Sequence, residues 1–334
     1  MSDHSVQMLS QIITDYSNSS DHPDLQVYRR DVEQFDWDRF DWWIRHIAKL
    51  GNFYGNKRIL EIGCGFGWEA VALSIETGAS VVAMDILPSM IAGVSECLDT
   101  MRTKGKKFKV EPLVGDICKV DLPPDSFDGL FSSEAVEHVH NLEQMYGRCF
   151  ALLKKGGKLV IANDSNGYNG LYRARNMEMW PERDGSWEHV EWLKREVRPR
   201  EHANAEPYAV MRERMIRAGD PTLPAEDVRA LVHATAGLIE PEIQAATRAC
   251  KADGTLPQRP EWSWCRNPET GEYAERLLDP FEMADGLKAA GFKVSLQHGM
   301  RKFPVRLINK IGIRFINKQI FERKPLFIIV AEKP

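Results

Sequence analysis

The chain has 334 residues, with 44 Lys and Arg against 48 Asp and Glu and a formal charge of -4 at neutral pH. That balance excludes the net basic surface expected of a nucleic-acid-binding protein, and the length is enough for a full α/β core carrying an insertion or a small cap. Six scattered cysteines (Cys64, Cys97, Cys118, Cys149, Cys250 and Cys265) form no CxxC pair and no His/Cys group at zinc spacing, so reduced thiols of a cytoplasmic protein are expected.

In chain order, the N-terminus is polar and acidic where an export signal needs a basic start and an apolar run. Nowhere does a window approach the roughly 20 apolar residues of a membrane-spanning helix. Residues 1–56, with Phe35, Trp37, Phe40, Trp42 and Trp43, are expected to form a helical cap packed over the cofactor-binding domain. From Lys57 short apolar runs alternate with helical patterns, the signature of a parallel sheet wrapped by helices. Strands are predicted at 58–62, 80–84, 108–114, 127–131 and 158–162, the last after a break at Gly156-Gly157. Behind Pro88, Leu87, Ile91, Val94, Leu98 and Met101 recur at helical spacing. The alternation then stops. Residues 165–278, rich in Trp, Arg, Glu and Pro, read as an inserted, mainly helical substrate lid, since a structureless loop of that length does not suit a compact domain. A helix at 279–291 and strands at 292–297 and 326–331 resume the sheet. The cofactor-binding domain therefore comprises 57–164 and 279–334.

The sharpest local feature is Ile59-Leu60-Glu61-Ile62-Gly63-Cys64-Gly65-Phe66-Gly67, an apolar strand running into three glycines at alternate positions. A turn that tight needs residues without Cβ, both for its backbone angles and to let backbone lie against a ligand. The spacing is GxGxG, not the GxGxxG of dinucleotide binders. Asp85 ends the second strand, where a carboxylate can accept from both hydroxyls of a ribose, and Asp116 ends the third, where it can accept from an adenine amino group.

These residues resemble the class I S-adenosylmethionine-dependent methyltransferases, in particular the group containing the ubiquinone and menaquinone biosynthetic enzymes. Glu61 to Gly67 resembles their first motif, Asp85 their ribose ligand, and Gly115-Asp116-Ile117 their adenine-contacting segment. Ser132-Ser133-Glu134-Ala135-Val136-Glu137-His138-Val139 is similar to their fourth strand and its loop, and Leu152 to Leu159 to the step into the fifth. The resemblance covers about 57–163 and the closing elements, and leaves out the insertion and the first fifty residues. It implies a Rossmann-like α/β sheet of order 3-2-1-4-5-7-6 with the last strand antiparallel and the lid inserted after the fifth. It also implies S-adenosyl-L-methionine as cofactor, leaving as S-adenosyl-L-homocysteine, held by Glu61, Gly63, Cys64, Gly65, Gly67, Asp85, Ile86, Asp116, Ile117 and Ser133. Trp68, after the third glycine, departs from the pattern in bulk.

The expected reaction is methyl transfer to a small-molecule acceptor, with a hydroxyl as the expected nucleophile. His138, assisted by Glu137, is the candidate base, because an imidazole titrates near neutral pH. Glu134, Glu137 and His138 also form an E-x-x-E-H cluster similar to a segment proposed to hold a divalent cation in ubiquinone-pathway O-methyltransferases. One short turn supplies few ligands, and no metal is expected. His140 reads as solvated. In the lid, Trp180, Trp187, Trp192, Trp262, Trp264, Tyr168, Tyr172 and Tyr208 stand near Arg173, Arg175, Arg183, Arg195, Arg198 and Arg200. They suit either a pocket for a ring-shaped acceptor with an anionic group or the lid's own core and solvated face. Lys302, Arg306, Lys310, Arg314 and Lys318 recur every fourth residue, a basic amphipathic pattern that fits packing on the lid or on a twin subunit, with peripheral membrane contact as the second reading. The competing classes are N- or C-methylation on the same fold, a nicotinamide-dependent oxidoreductase, and a non-catalytic scaffold that keeps the cofactor fold.

Overall fold

The computed structural model describes residues 3–106, 108–197, 199–299 and 314–334. Three helices lead in: α1 (Asp3–Ser17), α2 (Pro23–Glu33) and α3 (Trp37–Gly51). The third starts where the Asp36 side chain accepts from the Arg39 N–H and stops at Asn52, which takes the left-handed conformation, so capping chemistry fixes both ends.

Seven strands come after the cap: β1 (Arg58–Ile62), β2 (Ser80–Asp85), β3 (Val110–Val114), β4 (Phe127–Ser133), β5 (Leu153–Asn163), β6 (Lys293–His298) and β7 (Phe327–Glu332). Their order is β3-β2-β1-β4-β5-β7-β6, as the resemblance implies. β1 to β5 pair in parallel and β7 runs antiparallel to both β5 and β6. Because successive side chains point to opposite faces, Ile59, Val81 and Phe131 join one core with α1 to α3, α4 (Trp68–Thr77) and α5 (Pro88–Thr103). Leu60, Val82 and Leu130 join the other with α6 (Leu142–Leu152) and α12 (Pro280–Ala289). Covered on both faces, the central strands read as almost continuous apolar runs.

Between β5 and α12 lie α7 (Gly170–Gly185), α8 (Trp187–Trp192), α9 (Tyr208–Gly219), α10 (Ala225–Ala234) and α11 (Glu240–Asp253). Ile216, Leu231 and Ile243 form the core shared by α9, α10 and α11. Trp180, Tyr208 and Trp264 make a second cluster, so these rings fill the insertion's interior and do not wall a pocket. Trp187, Trp192 and Trp262 are exposed. The guanidiniums of Arg173 and Arg183 lie over the rings of Trp262 and Tyr208. Arg212, 1% exposed, makes two hydrogen bonds to the Asp184 carboxylate at 2.7 and 2.8 Å.

Two strand expectations change. β3 begins at Val110, not Phe108, and β5 begins at Leu153, running through Gly156-Gly157 instead of starting after them. The β4/β5 register shifts between Phe127 and Gly129, and Gly156, at φ 76°, supplies the left-handed residue such a bulge uses. In the basic C-terminal pattern Lys302, Arg306 and Lys310 lie outside the described residues. From Arg314 the chain forms α13 (Arg314–Arg323), in which Lys318 Nζ lies 5.2 Å from the Tyr168 ring centroid and Phe321 is fully buried. No helix among the described residues is long and apolar enough to cross a membrane.

Gly129 on β4 shows how closely the cap packs: a Cβ there would come to 2.3 Å from Phe53 Cε1. Gly129→Ala should therefore destabilise the protein by about 1–3 kcal/mol, as overpacking of a filled core does. Urea unfolding would register this as a lower midpoint at unchanged slope.

Candidate active site

β1 delivers Gly63, Gly65 and Gly67 at φ values of 73°, 49° and 78°. The N–H groups of Gly63 and Cys64 both donate to the Met84 carbonyl, at 2.8 and 2.9 Å, which ties the turn to the end of β2. A Cβ on Gly63 would lie 2.3 Å from Ala135 Cβ, so the turn after β4 packs directly on the glycine turn. At Gly65 nothing lies within 4 Å of such a Cβ, and the backbone there is open to a ligand. From the cap, the Tyr16 hydroxyl donates to the Phe66 carbonyl at 3.1 Å. Trp68 packs edge-on against Phe66 and Phe35.

Asp85 is held in place by the loops it serves. Its Oδ2 accepts from Gly65 N–H at 2.8 Å and its Oδ1 from Leu87 N–H at 3.0 Å, and each oxygen keeps a further lone pair for a ligand hydroxyl. Ile86 beside it is 40% exposed, an apolar surface where an adenine could rest. Asp116 Oδ1 accepts from Cys118 N–H, and its Oδ2 lies 3.3 Å from Lys119 Nζ and 3.8 Å from His140 Nδ1. His140 is thus a neighbour of Asp116, largely buried rather than solvated. Ile117 and Cys64 are buried, and Ile117 belongs to the sheet's core.

Beneath the glycine turn sits an acid pair that the sequence only half announces. Glu61 is 2% exposed and its Oε2 has no hydrogen-bond partner. Burial first, then Glu69 and Asp85, pushes its carboxyl well above the usual range. Burial also pushes Glu69 up to about 7, against the bonds it accepts from Trp43 Nε1 and Ser133, although an edge of the residue stays open to solvent. The Ser133 hydroxyl is accordingly engaged with Glu69. The unpartnered Glu61 oxygen and the open backbone at Gly65 fit a cofactor with an ammonium group and a nucleoside.

On the other side of Ala135, the helical turn Val136–His138 carries the candidate base. His138 Nδ1 lies 2.9 Å from the Tyr273 carbonyl. A carbonyl only accepts, so Nδ1 holds a proton and Nε2 is the nitrogen free to take one. Glu137 Oε1 is 3.9 Å from Nε2, and Glu137 Oε2 accepts from Asn163 Nδ2 at 2.5 Å. Burial pushes the Glu137 carboxyl up, offset in part by His138.

The expected E-x-x-E-H grouping is not assembled as a set. Glu134, at φ 47°, accepts from the Asp164 N–H at 3.1 Å, and its place beside Glu137 and His138 is taken by Glu275, from the far end of the insertion. Protein packed around the Glu134 carboxyl, then Asp164 and Glu137, pushes it upward, although the side chain keeps a solvent-open face. Glu275 is pushed up to about 7, chiefly by burial. The sequence reading missed Asp164, Tyr172, Glu275 and Glu69. An acid directly after a predicted strand end was the available signal for Asp164; Glu275 offered none.

Residues 60–161 match the family model of the methyltransferase domain. Phosphoethanolamine N-methyltransferase 2 of Caenorhabditis elegans is 28% identical over 125 residues, 37% of this chain and 28% of the relative. The 24-methylenesterol C-methyltransferase 2 of Oryza sativa subsp. japonica is 32% identical over 132 residues, 40% of this chain and 35% of the relative. The chain thus spans well under half the length of the curated relatives it matches. A solved structure of Haemonchus contortus phosphoethanolamine N-methyltransferase 2 with S-adenosyl-L-methionine aligns at a TM-score of 0.44 and 15% identity, over 89% of this chain and 52% of that one.

Glu69 makes the ligand-free protein sensitive to pH. Its folded pKa of about 7 lies above the ordinary 4.5, so its contribution to stability is complete below about 4.5 and is lost as pH rises through 7. Glu69→Gln should therefore stabilise the ligand-free protein relative to the parent at pH 8, with the gain fading toward pH 4.5. Melting temperatures across that range test it.

Proposed function

We propose that this chain, whose residues 60–161 form a class I S-adenosylmethionine-dependent methyltransferase domain, is an enzyme that methylates a small molecule seated between the rim of β4 and the helical insertion. The observation that carries the reading is the packing of Ala135 on Gly63. It makes the cofactor turn and the His138 turn immediate neighbours, so a ligand on one meets a ligand on the other.

Gly63, Gly65 and Gly67 would carry the cofactor's backbone contacts, Asp85 its ribose hydroxyls, Ile86 and Asp116 its adenine, and Glu61 its ammonium. When bound, S-adenosyl-L-methionine supplies a methyl group on a sulfonium, which positioning and exclusion of water are enough to make reactive. The work left to the chain is to hold the acceptor and take its proton. His138 Nε2 is the group for that, and Glu137 at 3.9 Å favours the imidazolium that results. A hydroxyl or an amine can use such a base, while a nucleophilic carbon has less need of it. The insertion acts as the lid: Arg276 Nη2 donates to the Val139 carbonyl at 2.8 Å, which fastens the insertion's return to the catalytic turn. The GxGxG spacing speaks against a nicotinamide cofactor.

Calorimetry with S-adenosyl-L-homocysteine and transfer of tritiated methyl from the cofactor into a metabolite extract are the tests. Asp85→Asn should cost about 1–3 kcal/mol of cofactor affinity, the worth of charge-assisted hydrogen bonds. His138→Ala should slow transfer by roughly 10²–10⁴-fold, the usual share of a general base, and leave cofactor affinity unchanged. Tight NADH binding without any response to S-adenosyl-L-homocysteine would overturn the assignment.

A further inference from the structure

Four carboxylates converge on the acceptor side of the site from separate parts of the chain. Glu134 and Glu137 come from the turn after β4, Asp164 lies just beyond β5, and Glu275 lies in the return from the insertion. One oxygen each of Glu137 and Glu275 and one ring nitrogen of His138 lie within 4.8 Å of one another. Asp164 and Glu134 are joined through the Asp164 N–H, and the Tyr172 hydroxyl donates to Asp164 Oδ1. Of the described basic side chains, His138 and Arg175 are those whose charge reaches Glu275. The cluster is strongly electronegative.

A second observation comes from α7. Tyr172 reaches Asp164, and two turns on Trp180 Nε1 donates to the Glu275 carbonyl at 2.9 Å. Asn176 stands midway between them at helical spacing, hence on the same face. It is 2% exposed and its Nδ2 has no hydrogen-bond partner. A buried donor left unmade costs free energy, and here it faces the cluster, where a neutral oxygen of a ligand would satisfy it.

We propose that this cluster is the acceptor subsite and that the acceptor is a protonated amine carrying a neutral oxygen. Its ammonium is held among Glu137, Asp164 and Glu275, and its oxygen is taken by Asn176 Nδ2. The inference rests on the methyl-transfer reading of the same site. An organic cation suits the site better than a bare divalent ion, which needs about six freely disposed oxygens: Glu137 Oε2, Glu134 Oε2 and Asp164 Oδ1 already accept from Asn163, Asp164 and Tyr172. An anionic acceptor, which the insertion's arginines suggested, meets repulsion here. His138 Nε2 can take one ammonium proton, which leaves the amine neutral with its lone pair free and the imidazolium beside Glu137.

The test uses the full chain saturated with S-adenosyl-L-homocysteine and three probes with one ring system: tyramine, tyrosol and para-hydroxyphenylacetate. They differ only in an ammonium, a hydroxyl or a carboxylate. Calorimetry should show tyramine binding roughly tenfold more tightly than tyrosol, the worth of a hydrogen bond to a charged group, with no binding of the acid. Glu275→Gln and Asp164→Asn, both isosteric, should each remove most of that preference while the melting temperature and S-adenosyl-L-homocysteine affinity hold. Asn176→Ala should weaken tyramine by a smaller factor. Equal or absent binding of all three probes, preference for the acid, or a preference that survives both substitutions overturns the proposal. So does stoichiometric binding of magnesium or manganese that saturating tyramine fails to displace. Failure of S-adenosyl-L-homocysteine itself to bind would instead remove the underlying assignment.

Discussion

A methyl group at position 63 would come within 2.3 Å of Ala135 Cβ, and the rest of the site is arranged around that missing atom. Because Gly63 has no side chain, the turn after β4 can lie on the turn after β1. The glycine turn is in turn fixed to β2 through the Met84 carbonyl and the Asp85 carboxylate. Three strand ends are thereby locked together at the point where the strand order reverses, which is where ligands bind in open α/β sheets. Replacing Gly63 would part the His138 turn from the cofactor turn before it altered any catalytic group.

Two sets of carboxyls flank this contact, and both hold protons more tightly than exposed acids do. Glu61 and Glu69 lie beneath the glycines; Glu134, Glu137 and Glu275 lie on the acceptor side. Desolvation is the leading cause in each case, and it disfavours the ionised form. Such groups weaken the ligand-free fold as pH rises through their folded values, about 7 for Glu69 and Glu275. A cation placed among them reverses the balance, since it favours the ionised carboxylates. Stability given up by the empty protein is thus available as ligand affinity on both sides of Gly63.

Local chemistry was legible in the sequence and long-range convergence was not. The run from Ile59 to Gly67, the acids ending β2 and β3 and the alternation of strands and helices all depend on neighbours within a few residues, and the resulting sheet has the expected order. Glu69 escaped notice because its meaning lies in Trp43, on a helix of the cap, and in Ser133, at the end of β4. Trp180 and Trp264 could serve equally as pocket wall or core until folding showed them buried against each other. Gly156-Gly157 read as a strand break because glycine marks both breaks and bulges, and only the pairing of β4 with β5 separates the two. Glu275 stands more than a hundred residues from His138, and no periodicity links them.

That last pair shows why the insertion belongs to the site. Residues 273–278 return along the rim of the sheet: Leu278 N–H donates to the Ser165 carbonyl at 2.8 Å and the Ser165 hydroxyl to the Arg276 carbonyl at 2.7 Å. In the same stretch the Tyr273 carbonyl fixes the His138 tautomer, Arg276 holds the Val139 carbonyl, and Glu275 faces Glu137. One short segment therefore sets which imidazole nitrogen is free and supplies an acid beside it. Its position depends in turn on α7, where Trp180 Nε1 donates to the Glu275 carbonyl. A displacement of the helical insertion would move the Tyr273 carbonyl and the Glu275 carboxylate together, so closure over an acceptor and orientation of the base are coupled by the same hydrogen bonds.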